Sequence, residues 1–189
     1  MLARIVLFVA AMALPISAQV GEKVSDSAPK AASTRFEAFT STNGRLMIRE
    51  FYDVASPKLM FGSAETRVIR VTDTSSGESV LAVRVSYTGE GKYDRATSAI
   101  LDQDEVGALA NAADYMLKNE SKIVAEATAC TEVTFTSRSG FQAGFYTQPG
   151  TNKSACYLRV GAETVFLTNL SDLATFVEAI QAQIKALAR

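Results

Sequence analysis

Two apolar stripes at helical spacing, each opened by a capping residue with an acid three positions on, constrain this chain more than any other feature. Ile100-Leu101-Asp102-Gln103-Asp104-Glu105 leads into Val106, Leu109, Ala110, Ala113, Met116 and Leu117. Asp102 is placed to accept the N–H three residues on while Glu105 reaches back, a capping box, and the i, i+3, i+4, i+7 spacing gathers the apolar residues on one face. The layout returns near the end, where Asn169 takes the cap position and Asp172 follows three residues later. Leu173, Phe176, Val177, Ile180, Ile184 and Leu187 form its stripe. Each helix closes a run of strand-like segments.

In the first half the β-prone runs are 36–40, 45–53, 66–72 and 80–87, separated by Asn43-Gly44, Ala55-Ser56-Pro57 and Thr74-Ser75-Ser76-Gly77. Leu81, Val83, Val85 and Tyr87 alternate with Ala82, Arg84 and Ser86, the period of a sheet with one wet face. Residues 58–61 fit either an extra short strand or a loop over the sheet edge. The polar stretch 88–98 connects to the first helix, and 122–125 either extends that helix or begins a strand. In the second half, 131–137 and 141–147 flank Arg138-Ser139-Gly140 as a hairpin, and 155–160 and 163–167 flank Gly161-Ala162.

The pattern therefore predicts an α+β fold, an antiparallel sheet with two amphipathic helices, and it raises a duplicated β4α unit with halves 35–118 and 122–189. Setting Asp102 against Asn169 aligns Glu105 with Asp172, Val106 with Leu173 and Ala113 with Ile180. The strand residues align only with gaps, so two unrelated amphipathic helices with ordinary caps fit as well.

Residues 1–18 read as a secretory signal peptide. One positive charge at Arg4 precedes the apolar run 5–14, and Pro15-Ile16-Ser17-Ala18 ends on a small residue, with cleavage expected after Ala18 although Ile16 departs from the A-x-A pattern. The run is shorter than the ~20 residues a membrane span needs, so no permanent membrane anchor is expected. No Cys lies near the cut, against a lipid-modified N-terminus. Residues 19–34 form a flexible leader and 35–189 a single α+β domain, located in the bacterial periplasm or exterior. The chain has 19 Lys+Arg against 20 Asp+Glu, and the signal removes only Arg4, so the mature protein lacks the basic footprint of a general nucleic-acid or anionic-membrane binder.

Cys130 and Cys156 are the only cysteines, and export to an oxidising compartment points to a disulfide between them. Closing a loop of about 27 residues, it would contribute roughly 3.5 kcal/mol by loop entropy. Geometry opposes it: in a simple meander the two lie two strand spacings apart, about 10 Å, beyond the roughly 7 Å Cα limit. The bond requires Cys130 to leave the sheet or the strand order to depart from a meander.

The chain contains no His and no Trp. Nucleophile–His pairs and His-ligated metal sites are thereby excluded. Asp102, Asp104 and Gly107 match positions 1, 3 and 6 of an EF-hand loop, but Val106 and Ala113 stand where oxygen ligands are required, so no metal is expected. The three carboxylates Asp102, Asp104 and Glu105 spread around a first helical turn, where capping and the helix dipole explain them better than acid/base catalysis. Gly89-Glu90-Gly91 is a bare G-x-G and reads as a turn rather than a phosphate cradle. No cofactor is implied.

The ligand-binding candidates are Arg138, Phe141, Tyr146 and Tyr157, on or beside the second-half hairpin, where aromatic rings with flanking cations can stack a sugar or a base. Set against this is the plainer reading that Phe141 and Phe145 point into the core. Lys92 and Tyr93, with Asp94 and Arg95, are the suspects in the long loop, since loops carry function disproportionately.

Ser98-Ala99-Ile100-Leu101-Asp102 and Thr134-Phe135-Thr136-Ser137-Arg138-Ser139-Gly140-Phe141 resemble segments of uncharacterised exported bacterial proteins with no assigned activity. That likeness transfers no functional residue. Two four-strand-plus-helix units are similar in architecture to the Whirly type of single-stranded DNA-binding domain, which would imply a nucleic-acid partner. The signal peptide and acidic balance disfavour DNA. The expected function is a non-catalytic binding or interaction module with a protein or glycan ligand. The alternatives are a hydrolase with a scattered carboxylate or Ser/Lys site, and single-stranded nucleic-acid binding.

Overall fold

Eight strands form two four-stranded antiparallel sheets, each a plain meander followed by a helix, in a computed structural model that describes residues 34–89 and 96–188. The first sheet is β1 (Met47–Val54), β2 (Ser63–Asp73), β3 (Ser79–Thr88) and β4 (Ala96–Asp102), preceded by α1 (Arg35–Thr40) and followed by α2 (Gln103–Glu126). The second is β5 (Thr131–Thr136), β6 (Gln142–Thr147), β7 (Ser154–Val160) and β8 (Glu163–Phe166), followed by α3 (Leu170–Leu187). The described residues all belong to one compact unit. The expected signal peptide, leader residues 19–33 and loop residues 90–95 lie outside the described residues, whereas Thr34, assigned to the leader, is the buried N-cap of α1.

Alternation builds the core. Val68, Val83 and Leu101 stand side by side across β2, β3 and β4, and Ala143 stands opposite Leu158 across β6 and β7. The stripes of α2 and α3 bury Val106, Leu109, Ala113, Met116, Leu173, Phe176, Val177 and Ile180 against both sheets in one continuous cluster. Leu117 departs from the expected stripe and is 45% exposed. The two halves interlock at Gly161, whose φ of +60° opens the β7–β8 turn and where a Cβ would lie 2.1 Å from the Thr97 hydroxyl of β4.

Two readings are corrected and two open ones decided. Residues 36–40 are helical because Thr34 and Glu37 form a complete capping box, at 3.0 and 3.3 Å, which outweighs the β-prone composition. The fourth strand of the first sheet is β4, hidden from sequence reading within the polar connection and the run leading to the cap. Residues 122–125 extend α2, and 58–61 meet the second sheet through a bridge between Leu59 and Leu167, beside which the Met60 N–H donates to the Phe166 carbonyl (2.9 Å).

The expected Cys130–Cys156 disulfide is absent. Both are free cysteines: Cys130 is exposed just before β5, whereas Cys156 is buried on β7, opposite Phe145 of the intervening β6. Simple meander order puts two strand spacings between them, and no local departure from the sheet closes the gap. Burial, with Glu120 nearby, pushes the Cys156 thiol up to about 11. A thiol-alkylating reagent at neutral pH is therefore expected to modify Cys130 rapidly and Cys156 only after unfolding, read by mass spectrometry without reductant.

Candidate functional site

The carboxylates that open α2 meet the β5–β6 turn. Glu105 reaches back to the Asp102 N–H (3.0 Å), as the capping box requires. The Asp102 carboxylate, 2% exposed, also turns outward from its own helix and accepts the N–H groups of Arg35 (2.7 Å) and Phe36 (3.0 Å), orphan donors of the first turn of α1. Arg138 closes the arrangement. Its Nη1 donates to Asp102 Oδ2 (2.8 Å) and Asp104 Oδ1 (2.9 Å), and its Nη2 to Asp104 Oδ2 (2.7 Å). Its backbone N–H donates to Glu105 Oε1 (2.7 Å), and the neighbouring Ser139 hydroxyl donates to the Ile100 carbonyl.

Hydrogen bonding to Arg138 is the main cause that holds the Asp104 carboxyl below the usual range, and the same contacts raise the Arg138 guanidinium further above its own. Arg138 is thus brought together with Asp102, Asp104 and Glu105, a grouping the sequence did not announce because it spans α1, α2 and a turn. The geometry is that of a fork held by two carboxylates through three of its five N–H donors.

The aromatic candidates separate. Phe141 is fully buried in the core, as is Phe145. Tyr157 lies on the other face of the second sheet, where Gly144 stands opposite it on β6. Its hydroxyl pairs with Thr134 Oγ1 (2.6 Å) and donates to Glu132 of β5. Burial, followed by the Glu132 hydrogen bond, raises its pKa, and it is 2% exposed. Gly144 leaves no room for substitution: a Cβ there would come within 2.2 Å of the Val133 carbonyl. Tyr146 is half-buried, with its ring centroid 6.5 Å from that of Tyr157 and 6.4 Å from that of Phe166. Lys92 and Tyr93 lie outside the described residues.

A cleft of about 560 Å³ opens elsewhere, between the second half of α2 and the stretch that enters α3. Leu117 and Glu120 of α2, Ser154 and Cys156 of β7, and Phe166 and Leu170 line it, with Met60 at its edge. Glu120 accepts a hydrogen bond from the Ser154 hydroxyl. Met60 and Leu117 are 57% and 45% exposed, and Phe61 beside Met60 is 68% exposed. Sequence reasoning missed this site because Met60 comes from the segment left ambiguous and Leu117 was assigned to the buried stripe.

No family model, curated protein or solved structure matches the chain. No helix among the described residues is long and apolar enough to cross a membrane, and no group of acidic or cysteine residues among them is arranged to hold a metal ion.

Replacing Asp102 with Ala strands the N–H groups of Arg35 and Phe36 and an Arg138 donor, and is expected to cost about 2 kcal/mol in urea unfolding. Because the folded pKa of Asp104 is depressed, its contribution is complete above the unfolded carboxylate pKa of about 3.9 and is lost as pH falls through the lower folded value. Stability measured from neutral pH downward should fall less steeply in Asp104→Asn than in the native chain.

Proposed function

We propose that this chain is an exported, non-catalytic interaction module of the bacterial periplasm or exterior, and that it takes an apolar segment of a protein partner in the α2–α3 cleft. The observation that carries this reading is the exposure of Met60, Phe61 and Leu117 at and beside a cavity whose lining mixes apolar Phe166, Leu167 and Leu170 with polar Glu120, Ser154 and Asn169. Clustered exposed apolar side chains favour protein contact, and polar groups beside them can orient a bound segment. The internal contacts of Arg138, Phe141 and Tyr157 weigh against a sugar-stacking platform built on them.

A hydrolase is the rival reading, and the Ser154–Glu120 contact in the same cleft is what favours it. A carboxylate is a weak base for a serine hydroxyl, and the neighbouring Cys156 thiol stays protonated at neutral pH. Nucleic-acid binding draws support from the Whirly-like layout alone. On the outer face of the first sheet Arg67 is engaged by Asp53 and Glu65, and Arg84 lies over Phe51, so phosphate contacts would have to displace existing partners.

Peptides selected from a displayed library on the native chain should lose about tenfold or more in affinity when Met60 or Leu117 is replaced by Asp, with thermal unfolding unchanged. Turnover of generic esterase, glycosidase or peptidase substrates that disappears in Ser154→Ala would instead establish the hydrolase. Glycan or oligonucleotide binding indifferent to the cleft substitutions would displace the protein-partner reading.

A further inference from the structure

We infer that β1 is a self-recognition edge, and that two copies of the chain pair antiparallel along it into one continuous eight-stranded sheet. β1 bonds only to β2, so its other side is a free edge among the described residues. The Thr74 N–H donates to the Leu46 carbonyl (3.0 Å) at the end of the β1–β2 ladder, just beyond the Met47 and Asp73 pair. Even-numbered residues of β1 therefore face β2. The N–H and C=O groups of Met47, Arg49, Phe51 and Asp53 point to the free side.

Edge strands usually carry charges that repel a second strand. Here the charges are arranged to reject most strands and accept their own copy. In an antiparallel pairing centred on Phe51, Arg49 stands opposite Asp53 of the second copy, Phe51 opposite Phe51, and Asp53 opposite Arg49. In each of those pairs both residues present outward backbone groups, so the ladder closes with its hydrogen bonds made. On the other face Ile48 meets Val54, and Glu50 meets Tyr52. Opposite charges and apolar pairs directly across an antiparallel ladder are the stabilising combinations.

The side chains are available for this. Arg49 is exposed and makes no ion pair among the described residues, and the Asp53 side chain is 81% exposed even though it accepts from Arg67 (2.8 Å). Ile48 and Phe51 are 55% and 51% exposed, large apolar side chains that a solitary edge leaves in water. Arg84 lies 5.9 Å from the Phe51 ring and braces it from β3. A two-fold axis through Phe51 makes the contact isologous and closed, which limits assembly to a dimer.

Sedimentation equilibrium of the native chain should give a dimer. Arg49→Asp and Asp53→Arg each place like charges opposite one another twice across the two-fold, and each alone should raise the dimer Kd about tenfold or more. Mixing the two single variants puts opposite charges in every pair, so a heterodimer should form where neither variant dimerises alone. Thermal unfolding of each variant verifies that it is folded. A native chain that stays monomeric at millimolar concentration overturns the inference, whether or not the variants fold. So does a dimer indifferent to both substitutions, or a mixture of folded variants that fails to pair.

Discussion

The Asp102 carboxylate joins elements that would otherwise have no reason to meet. It ends β4, opens α2, satisfies the first donors of α1 and receives the guanidinium of Arg138 from the β5–β6 turn. A buried charge of this kind is tolerable only when its lone pairs are matched, and here backbone and side-chain donors supply the match. Glu105 adds a second tie to the same turn through the Arg138 N–H. The junction between the two sheet-and-helix halves is therefore polar at this end, while the shared apolar core fills the space between.

That division explains what each group of residues is free to do. Acids at a helix start often attract functional readings, yet these hold the scaffold, and Arg138 is held with them. The tyrosine most attractive as a stacking platform is closed over Gly144 and bonded to β5. Large apolar side chains remain exposed at two places: Met60, Phe61 and Leu117 around the α2–α3 cleft, and Ile48 and Phe51 on the β1 edge. The cleft also carries the hydrogen-bonded Ser154 and Glu120, whereas the β1 edge combines its apolar side chains with the charges of Arg49 and Asp53.

The paired meanders also govern the cysteines. Antiparallel strands joined by short turns keep sequence neighbours adjacent, which places β6 between Cys130 and Cys156. Loop entropy would favour bridging the two, but a disulfide needs its Cα atoms within a single strand spacing or slightly more, and geometry decides before entropy can act.

By itself the sequence determined the elements whose evidence is local. The stripes and caps of α2 and α3 and seven of the eight strands follow from periodicity and turn residues, and an α+β class follows from their order. Local pattern failed at 36–40, where a capping box and the distant Asp102 carboxylate stabilise a helix against β-prone composition, and at β4, whose alternation is masked by the polar loop before it and the cap after it. Leu117 lies at helical spacing with the buried stripe and still faces the cleft, because only the packing of β7 and β8 decides how wide the buried face of α2 is. The destinations of Arg138, Phe141 and Tyr157 were likewise tertiary decisions: a side chain's type states what it can bond to, and only the folded neighbours determine whether those bonds are already made.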